Sequence, residues 1–225
     1  MKVNFLNAEE VRNSSLFRHS NKYWNMYGYN SRANIGHLMK IINKMRPISL
    51  DDWVHDYTQS GKEYERLLKK GSTLDPAEYG RSESQLRTIA SDFRKDLMAH
   101  GLRIDFDTAY RFVLIRVLYE TWIGYSREKR VYNMLKTAFN GAYEVRHTEP
   151  SIDIEMAVDF EVLKDGQLIL GLQVKGNNSS EATLKMNKRK NARYISQYGV
   201  PVFYVSCSRT GIENMSELSK ELRRA

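Results

Sequence analysis

A predicted hairpin in the last third of the chain constrains this sequence most. Residues 157–176 read AVDFEVLKDGQLILGLQVKG, in which two apolar runs flank a Lys-Asp-Gly turn. Apolar and β-branched runs around such a turn predict two antiparallel strands. From Ile152 to Val162 the even positions are apolar and several odd positions are acidic, and the second run alternates in the same way. Because side chains alternate across a strand, each strand is expected to have one apolar and one polar face.

The length of the turn decides whether the two polar faces lie on the same side of the sheet. A two-residue loop at 165–166 would pair odd positions with even ones and would separate the faces. A three-residue loop at 164–166 pairs odd with odd, and its third position is a glycine, which favours a left-handed backbone. We predict the longer loop. It places Asp159 opposite Gly171, with Gln173 as a diagonal neighbour.

Three polar side chains, Asp159, Gln173 and Lys175, are expected to converge in this register. A carboxylate and an amide oxygen can hold a hard cation, so Asp159 and Gln173 are the expected ligands of Mg²⁺, with Mn²⁺ as a substitute. Lys175 is expected to stabilise charge or to position the nucleophile. Glu128, on the preceding helix, is the first candidate for a further acid, followed by Glu155 and Asp153. Asp153 is also an alternative to Asp159. An ordinary exposed sheet face would carry the same types of residue.

An acid, a hairpin and then acid-x-Lys is an arrangement similar to that of the PD-(D/E)xK nucleases, with Gln173 in place of the second acid. Helical patterns dominate before about residue 140, and strands alternate with helices after it. The sequence therefore predicts an α/β (α+β) fold with a PD-(D/E)xK restriction-endonuclease-like core, a mixed sheet of αβββαβ type flanked by helices. We assign residues 1–105 to a helical region for DNA recognition and dimerisation, and residues 106–225 to the nuclease core.

The charge of the chain favours a polyanionic partner. Lys and Arg number 35 against 27 Asp and Glu, which gives a net charge of +8 and favours nucleic acid. The single cysteine, Cys207, excludes an internal disulfide and a cysteine zinc cluster. No stretch approaches the roughly 18 apolar residues that span a membrane, and the N-terminus lacks an apolar signal segment. We therefore expect a cytoplasmic protein without a membrane partner.

Two polar segments are candidates for DNA contact. The first lies at the start of a predicted helix near Ile35, and arginine and asparagine are the side chains that commonly read guanine and adenine. The second follows the hairpin, where a polar loop leads into a basic helix suited to phosphates. A solvated basic helix would have the same composition. The candidate residues are Arg32, Asn34, His37, Asn177, Asn178, Ser179, Lys185, Lys188 and Arg189.

Three segments resemble the MjaI-type type II restriction endonucleases: SRANIGHLMKIINKMRPISLDDWVHDY, TWIGYSREKRVYNMLK and the hairpin from VDF to LQVKG. In that family a glutamine already stands in the first position of the acid-x-Lys motif, as Gln173 does. The resemblance implies a homodimeric, Mg²⁺-dependent enzyme that cuts double-stranded DNA at a short palindrome, and CTAG is the site associated with the family. A palindrome suits a two-fold dimer, which presents one active site to each strand.

Two other functions fit the same residues. A structure-specific repair or junction nuclease would share the fold but would cut only at branches or ends. A non-catalytic DNA-binding protein would show salt-sensitive binding and no cleavage, with the hairpin acids simply exposed. The paired spacing of Asp159 and Lys175 speaks against this last reading.

Overall fold

The structure is a computed structural model that describes residues 5, 7–176, 181–208 and 211–224. The chain forms two compact units, residues 1–125 and residues 126–225. Within the described ranges, no helix is both long and apolar enough to cross a membrane. The boundary predicted at residue 105 separates a region for DNA recognition from a region for catalysis. It stays a prediction.

Every element described in the first unit is helical. Several helices begin at side-chain caps, such as Ser49, whose hydroxyl accepts from the Asp52 N–H (3.1 Å). The helices are α1 (Ala8–Asn13), α2 (Ser15–Met26), α3 (Arg32–Ile35), α4 (Leu38–Met45), α5 (Leu50–Lys69), α6 (Glu83–Ala99) and α7 (Phe106–Leu114), with a 3-10 turn at Pro76–Glu78. A π-helical turn, Ile115–Tyr119, then leads into α8 (Glu120–Phe139), which continues into the second unit.

Aromatic side chains form the centre of the first unit. The ring of Trp24 lies 5.3 Å from Phe93 and 5.6 Å from Phe112, and the two phenylalanine rings are 4.9 Å apart. Leu86 and Leu97 lie on the same face of α6 as Phe93, since residues seven and eleven positions apart share one side of a helix. All of these side chains are buried.

The second unit is built on one four-stranded sheet. Its strands are β1 (Glu144–His147), β2 (Phe160–Lys164), β3 (Gln167–Gly176) and β4 (Val202–Cys207), and they lie in that order. The pairs β1–β2 and β2–β3 are antiparallel, whereas β3 and β4 are parallel. The remaining helices are α9 (Pro150–Met156), α10 (Glu181–Tyr198) and α11 (Met215–Arg224). This mixed sheet flanked by helices, beside a helical N-terminal region, confirms the predicted fold class.

The two faces of this sheet differ in chemistry. On one face, even-numbered residues of β2 and β3 such as Phe160 and Leu172 pack with Leu135 of α8 and Leu218 of α11 in an apolar core. The other face carries polar residues, and α10 covers it, as the contacts of Tyr194 show.

Tyr194 of α10 contacts both β2 and β3 on this polar face. Its hydroxyl donates to Glu161 (2.9 Å), and Glu161 also accepts from Nε of Arg146 (2.8 Å). The ring packs so closely on Gly171 that a Cβ there would lie 2.9 Å from it. A glycine in the centre of β3 is therefore required by the approach of the tyrosine ring.

The hairpin differs from its prediction in two ways. Residues 150–156 form a helix, not the start of a strand, because Pro150 suits a first helical position and Ala157, with a φ of 54°, ends the helix in a left-handed conformation. The predicted three-residue loop was also wrong: Lys164 pairs with Gln167, which leaves a two-residue turn.

A bulge restores the pairing that the longer loop was expected to give. Asp165 and Gly166 have φ values of 51° and 78°, as the two central residues of a type I′ turn require. Leu163 pairs with Leu168 but Val162 pairs with Leu170, so Ile169 is the extra residue of a β-bulge. Beyond it, odd positions pair with odd ones, and the polar faces of β2 and β3 coincide.

Candidate active site

Asp159 lies directly before β2 and is fixed to β3 by two hydrogen bonds. Its N–H donates to the carbonyl of Leu172 (2.8 Å), and its Oδ2 accepts from the N–H of Val174 (2.5 Å). Because these bonds fall on either side of Gln173, the Asp159 carboxylate lies beside that residue. The predicted pairing was wrong by two residues, since Glu161 is the residue opposite Gly171.

Gln173 lies in the interior of the sheet, with Tyr204 of β4 as its partner in the register. Its side chain is 2% exposed, and its Oε1 accepts no hydrogen bond from any described residue. A buried amide oxygen without a donor costs about 1–3 kcal/mol, so a bound cation or water is expected there. Lys175 follows two positions later, and its side chain therefore leaves β3 on the same face.

The pKa of Asp159 shows how crowded its surroundings are. This pKa is raised to about 7, first by burial and then by the negative charge of Asp153 and a hydrogen bond between the two side chains. The hydrogen bond from Val174 and the positive charge of Lys175 act in the opposite direction. The structure thus brings both candidate acids, Asp153 and Asp159, into direct contact, within electrostatic range of the lysine.

Glu128, near the start of the second unit, belongs to the same cluster of charges. Its pKa is raised well above the ordinary value of 4.5, first by burial and then by the charges of Asp159 and Asp153. Lys175 and Arg127 lower it. Glu128, Asp159 and Lys175, together with Asp153, therefore lie close enough to influence one another, and Gln173 lies beside Asp159 in the sheet. Strongly shifted acids that gather in one place are typical of functional sites.

These groups fit a hard divalent cation. Two carboxyl groups can share a hydrogen bond only when one of them is protonated, and a divalent ion can take the place of that proton. The unpaired Oε1 of Gln173 offers a further oxygen ligand beside them. Among the described residues, no group of three His, Cys, Asp or Glu side chains has by itself the arrangement of a metal site, so the fit depends on this amide oxygen.

Comparison with known proteins identifies the family of the chain. The family model for the MjaI restriction endonuclease matches residues 20–219. The chain belongs to the MjaI restriction endonuclease family. Neither a curated protein nor a solved structure matches it. The family match confirms the resemblance found in the sequence: the chain is a type II restriction endonuclease, a site-specific deoxyribonuclease that acts on DNA. Such enzymes generally use a divalent metal ion.

The endonuclease holds its first group of DNA-binding candidates around α3. The side chain of Arg32 is exposed at the first position of this helix. Asn34 donates through its amide to the carbonyl of Gly28 (2.9 Å), and the ring of His37 caps α4 by accepting from the Lys40 N–H (3.3 Å). Both side chains thus stabilise local backbone structure, and all three residues stay candidates for DNA contact.

Arg81 supports this segment of the endonuclease and was missed in the sequence. Its side chain is buried, and its guanidinium donates to the carbonyls of Ala33 (2.5 Å), Asn34 (2.8 Å) and Tyr79 (2.7 Å). It therefore binds the last turn of α3 to the chain before α6. The available signal was weak: an arginine between Gly80 and the capping Ser82, in a region that carries no known motif.

The second group of DNA-binding candidates follows the hairpin. Lys185, Lys188 and Arg189 are exposed on α10, as a contact with phosphates requires. Asn177, Asn178 and Ser179 lie outside the described residues.

The opposite, buried side of α10 is polar, which the sequence analysis did not foresee. It consists of Asn187, Asn191 and Tyr194. Their spacing of four and three residues marks one helix face, and that spacing was the signal.

Proposed function

We propose that this endonuclease makes Mg²⁺-dependent double-strand cuts at a short palindromic DNA site, with its active site at Asp159, Gln173, Lys175 and Glu128. The observation that carries the proposal is the contact of Asp153 with Asp159 beside the unpaired Oε1 of Gln173. Mn²⁺ is expected to replace Mg²⁺, because it accepts the same oxygen ligands.

The proposed roles follow from the chemistry of each side chain. Asp159 and Gln173 would hold the metal ion, which when bound polarises the phosphodiester and activates water. Lys175, on the same sheet face as Gln173, donates hydrogen bonds to the negative charge that develops on the phosphate. Glu128 supplies a further carboxylate, which compensates for the weaker attraction of a neutral amide for a cation.

We further propose a homodimer that binds double-stranded DNA. A two-fold dimer matches a palindrome and places one active site at each strand. Residues 1–105 are the proposed region for recognition and dimerisation, with the exposed Arg32 as a base-reading residue. The exposed cations Lys185, Lys188 and Arg189 are proposed to bind phosphates. CTAG as the recognised site rests on the family likeness alone, and the cytoplasm is the expected location because incoming DNA is met there.

Digestion of a sequenced phage DNA tests this proposal most directly. With Mg²⁺ the endonuclease is expected to give discrete fragments whose mapped ends share one palindrome, and without a divalent ion it is expected to give none. Cutting confined to branched or single-stranded substrates would indicate a junction nuclease instead. Salt-sensitive binding without cleavage of any DNA would indicate a binding protein.

The variant Lys175→Ala tests the placement of the active site. Cleavage is expected to fall by at least about 10²-fold, whereas affinity for the same duplex, measured with Ca²⁺, stays within a few-fold. Lys164→Ala is the matched control, since Lys164 is exposed at the far end of the same hairpin. Undiminished cleavage by Lys175→Ala would remove this site from consideration.

A further inference from the structure

The buried polar face of α10 follows the polar face of β3 step by step. Tyr194 packs on Gly171. Asn191 accepts a hydrogen bond from the hydroxyl of Tyr204, which is the register partner of Gln173. Asn187 and Tyr194 are separated by about 10.5 Å along α10, and Gly171 and Lys175 by about 13 Å along β3. The two elements therefore stay within about one residue of each other over this distance.

Asn187 is the next buried polar residue of α10 towards the start of the helix. It lies one turn nearer the start of α10 than Asn191, just as Lys175 lies one pleat nearer the end of β3 than Gln173. The alternation of β3 also places Lys175 on the face that α10 covers. Asn187, which is 5% exposed, is therefore expected at about the level of the proposed catalytic lysine.

The hydrogen bonds of the two buried asparagines differ. Asn191 donates to the carbonyls of Met156 and Ala157 (2.9 Å each) and accepts from Tyr204. The Nδ2 of Asn187 is buried as well, yet it has no acceptor among the described residues. A buried donor without an acceptor is unfavourable, and functional groups commonly retain such a donor for a ligand.

The hydrogen-bonding groups of Lys175 and Asn187 indicate which ligand could bind between them. A lysine ammonium carries three donors and no acceptor, and the unpaired atom of Asn187 is also a donor. Lys175 has the carboxylates of Asp159 and Glu128 within electrostatic range, whereas Asn187 has no acceptor among the described residues. An oxygen with free lone pairs would satisfy Asn187, and a phosphate oxygen, being charged, takes the strongest hydrogen bonds.

We propose that Asn187 is a further catalytic residue, whose Nδ2 donates a hydrogen bond to a non-bridging oxygen of the phosphate that is cut. This inference rests on the proposed function. Because Nδ2 is shielded from solvent in the DNA-free protein, a local adjustment accompanies the contact, and its effect is expected on the cleavage step more than on DNA binding.

The test compares Asn187→Leu with Asn191→Leu, two equivalent changes on one buried helix face. Asn187→Leu is expected to slow single-turnover cleavage by about 10²-fold, with an unchanged Kd for DNA in Ca²⁺ and a melting temperature equal to or above that of the wild type. Asn191→Leu is expected to lower the melting temperature, because three hydrogen bonds are lost. A stable but slow enzyme separates a catalytic role from a structural one.

A second measurement uses DNA with a single phosphorothioate at the mapped cleavage position. Sulfur accepts hydrogen bonds poorly, so the diastereomer that carries it on the Asn187 side is expected to be cut more slowly by the wild type. In Asn187→Leu this difference is expected to vanish, whereas the effect of the other diastereomer remains.

Three results would have distinct meanings. Cleavage by Asn187→Leu at the wild-type rate would overturn the inference and leave the proposed function intact. A melting temperature lowered as far as in Asn191→Leu would show that Asn187 is structural and would also overturn it. Failure of the wild-type enzyme to cut any DNA would instead remove the proposed function itself.

Discussion

Asp153 and Asp159 hydrogen-bond to each other although both are acids. Their contact lies beside the end of β3 that carries Lys175, and the half-buried Glu128 adds a third carboxyl to the same cluster. Such crowding opposes folding, since each carboxyl loses solvation and repels its neighbours. Active sites commonly retain such unfavourable arrangements because the ligand or the reaction needs them.

Asp159→Asn is therefore expected to stabilise the metal-free protein while abolishing cleavage. Asparagine can keep the hydrogen bond from Val174 but carries no charge, so the free energy of unfolding at pH 8 is expected to rise by about 1–2 kcal/mol. Thermal unfolding and plasmid cleavage measure the two effects. Asp165→Asn, at the hairpin turn, is the matched control and should change neither. An unstabilised or still active Asp159→Asn would contradict the prediction.

The stability of the metal-free protein is expected to fall as pH rises from about 4 to about 7. The pKa of Asp159 lies near 7 in the folded state and near 3.8 without these surroundings. Between these values the folded state binds more protons than the unfolded one, so raising the pH favours unfolding. Denaturant titrations at fixed ionic strength across this range measure the trend.

Mg²⁺ is expected to counteract this loss of stability. Because the ion competes with the proton for Asp159, the rise in melting temperature on adding Mg²⁺ should be larger at pH 8 than at pH 5. Asp159→Asn should show no such difference. Equal shifts at the two pH values in the wild type would disagree with a metal ion at this carboxylate.

Tyr194→Phe is expected to destabilise the second unit by about 1–3 kcal/mol, because the buried Glu161 loses the hydroxyl that donates to it. Urea unfolding measures the change as a lower midpoint with an unchanged slope. Tyr198→Phe, one turn later at a more exposed position, should have an effect within about 0.5 kcal/mol. Equal losses in the two variants would show that the bond to Glu161 contributes little.

Gly171→Ala is expected to cost about 1–3 kcal/mol, because the new Cβ would lie 2.9 Å from the ring of Tyr194 and 3.1 Å from Val158. Gly124→Ala is the opposite case. Its Cβ would meet nothing within 4 Å, and alanine in a helix is favoured by about 0.5–1 kcal/mol. Thermal unfolding of both variants should therefore give shifts of opposite sign, and shifts of the same sign would contradict the packing described here.

For the hairpin, the sequence predicted the strands but not the way in which they pair. Periodicity predicted β2 and β3 and placed Asp159, Gln173 and Lys175 on a common side, yet through the wrong turn. The sequence rules for turns treat the loop alone, whereas the observed register results from a two-residue turn and a bulge at Ile169 together. A bulge in the middle of an aliphatic run leaves no signal in composition.

Other features escaped prediction because they depend on distant parts of the chain. The carbonyl groups around Arg81 come from α3 and from the segment before α6, and no local pattern reports such an arrangement. Pro150 did signal the start of α9, but the alternation from Ile152 onward resembled a strand more strongly. The polar stripe at Asn187, Asn191 and Tyr194 was readable by its spacing, and it becomes meaningful only once α10 is known to cover the polar face of the sheet.

The bulge at Ile169 has a consequence for how this enzyme can change. If the hairpin closed without the bulge, with Val162 opposite Ile169, every later residue of β3 would pair one position out of register and turn to the other face of the sheet. Lys175 would then enter the apolar core, and Val174 would take its place on the polar face. A residue with no chemical part in the reaction thus decides which side chains of β3 face the proposed active site.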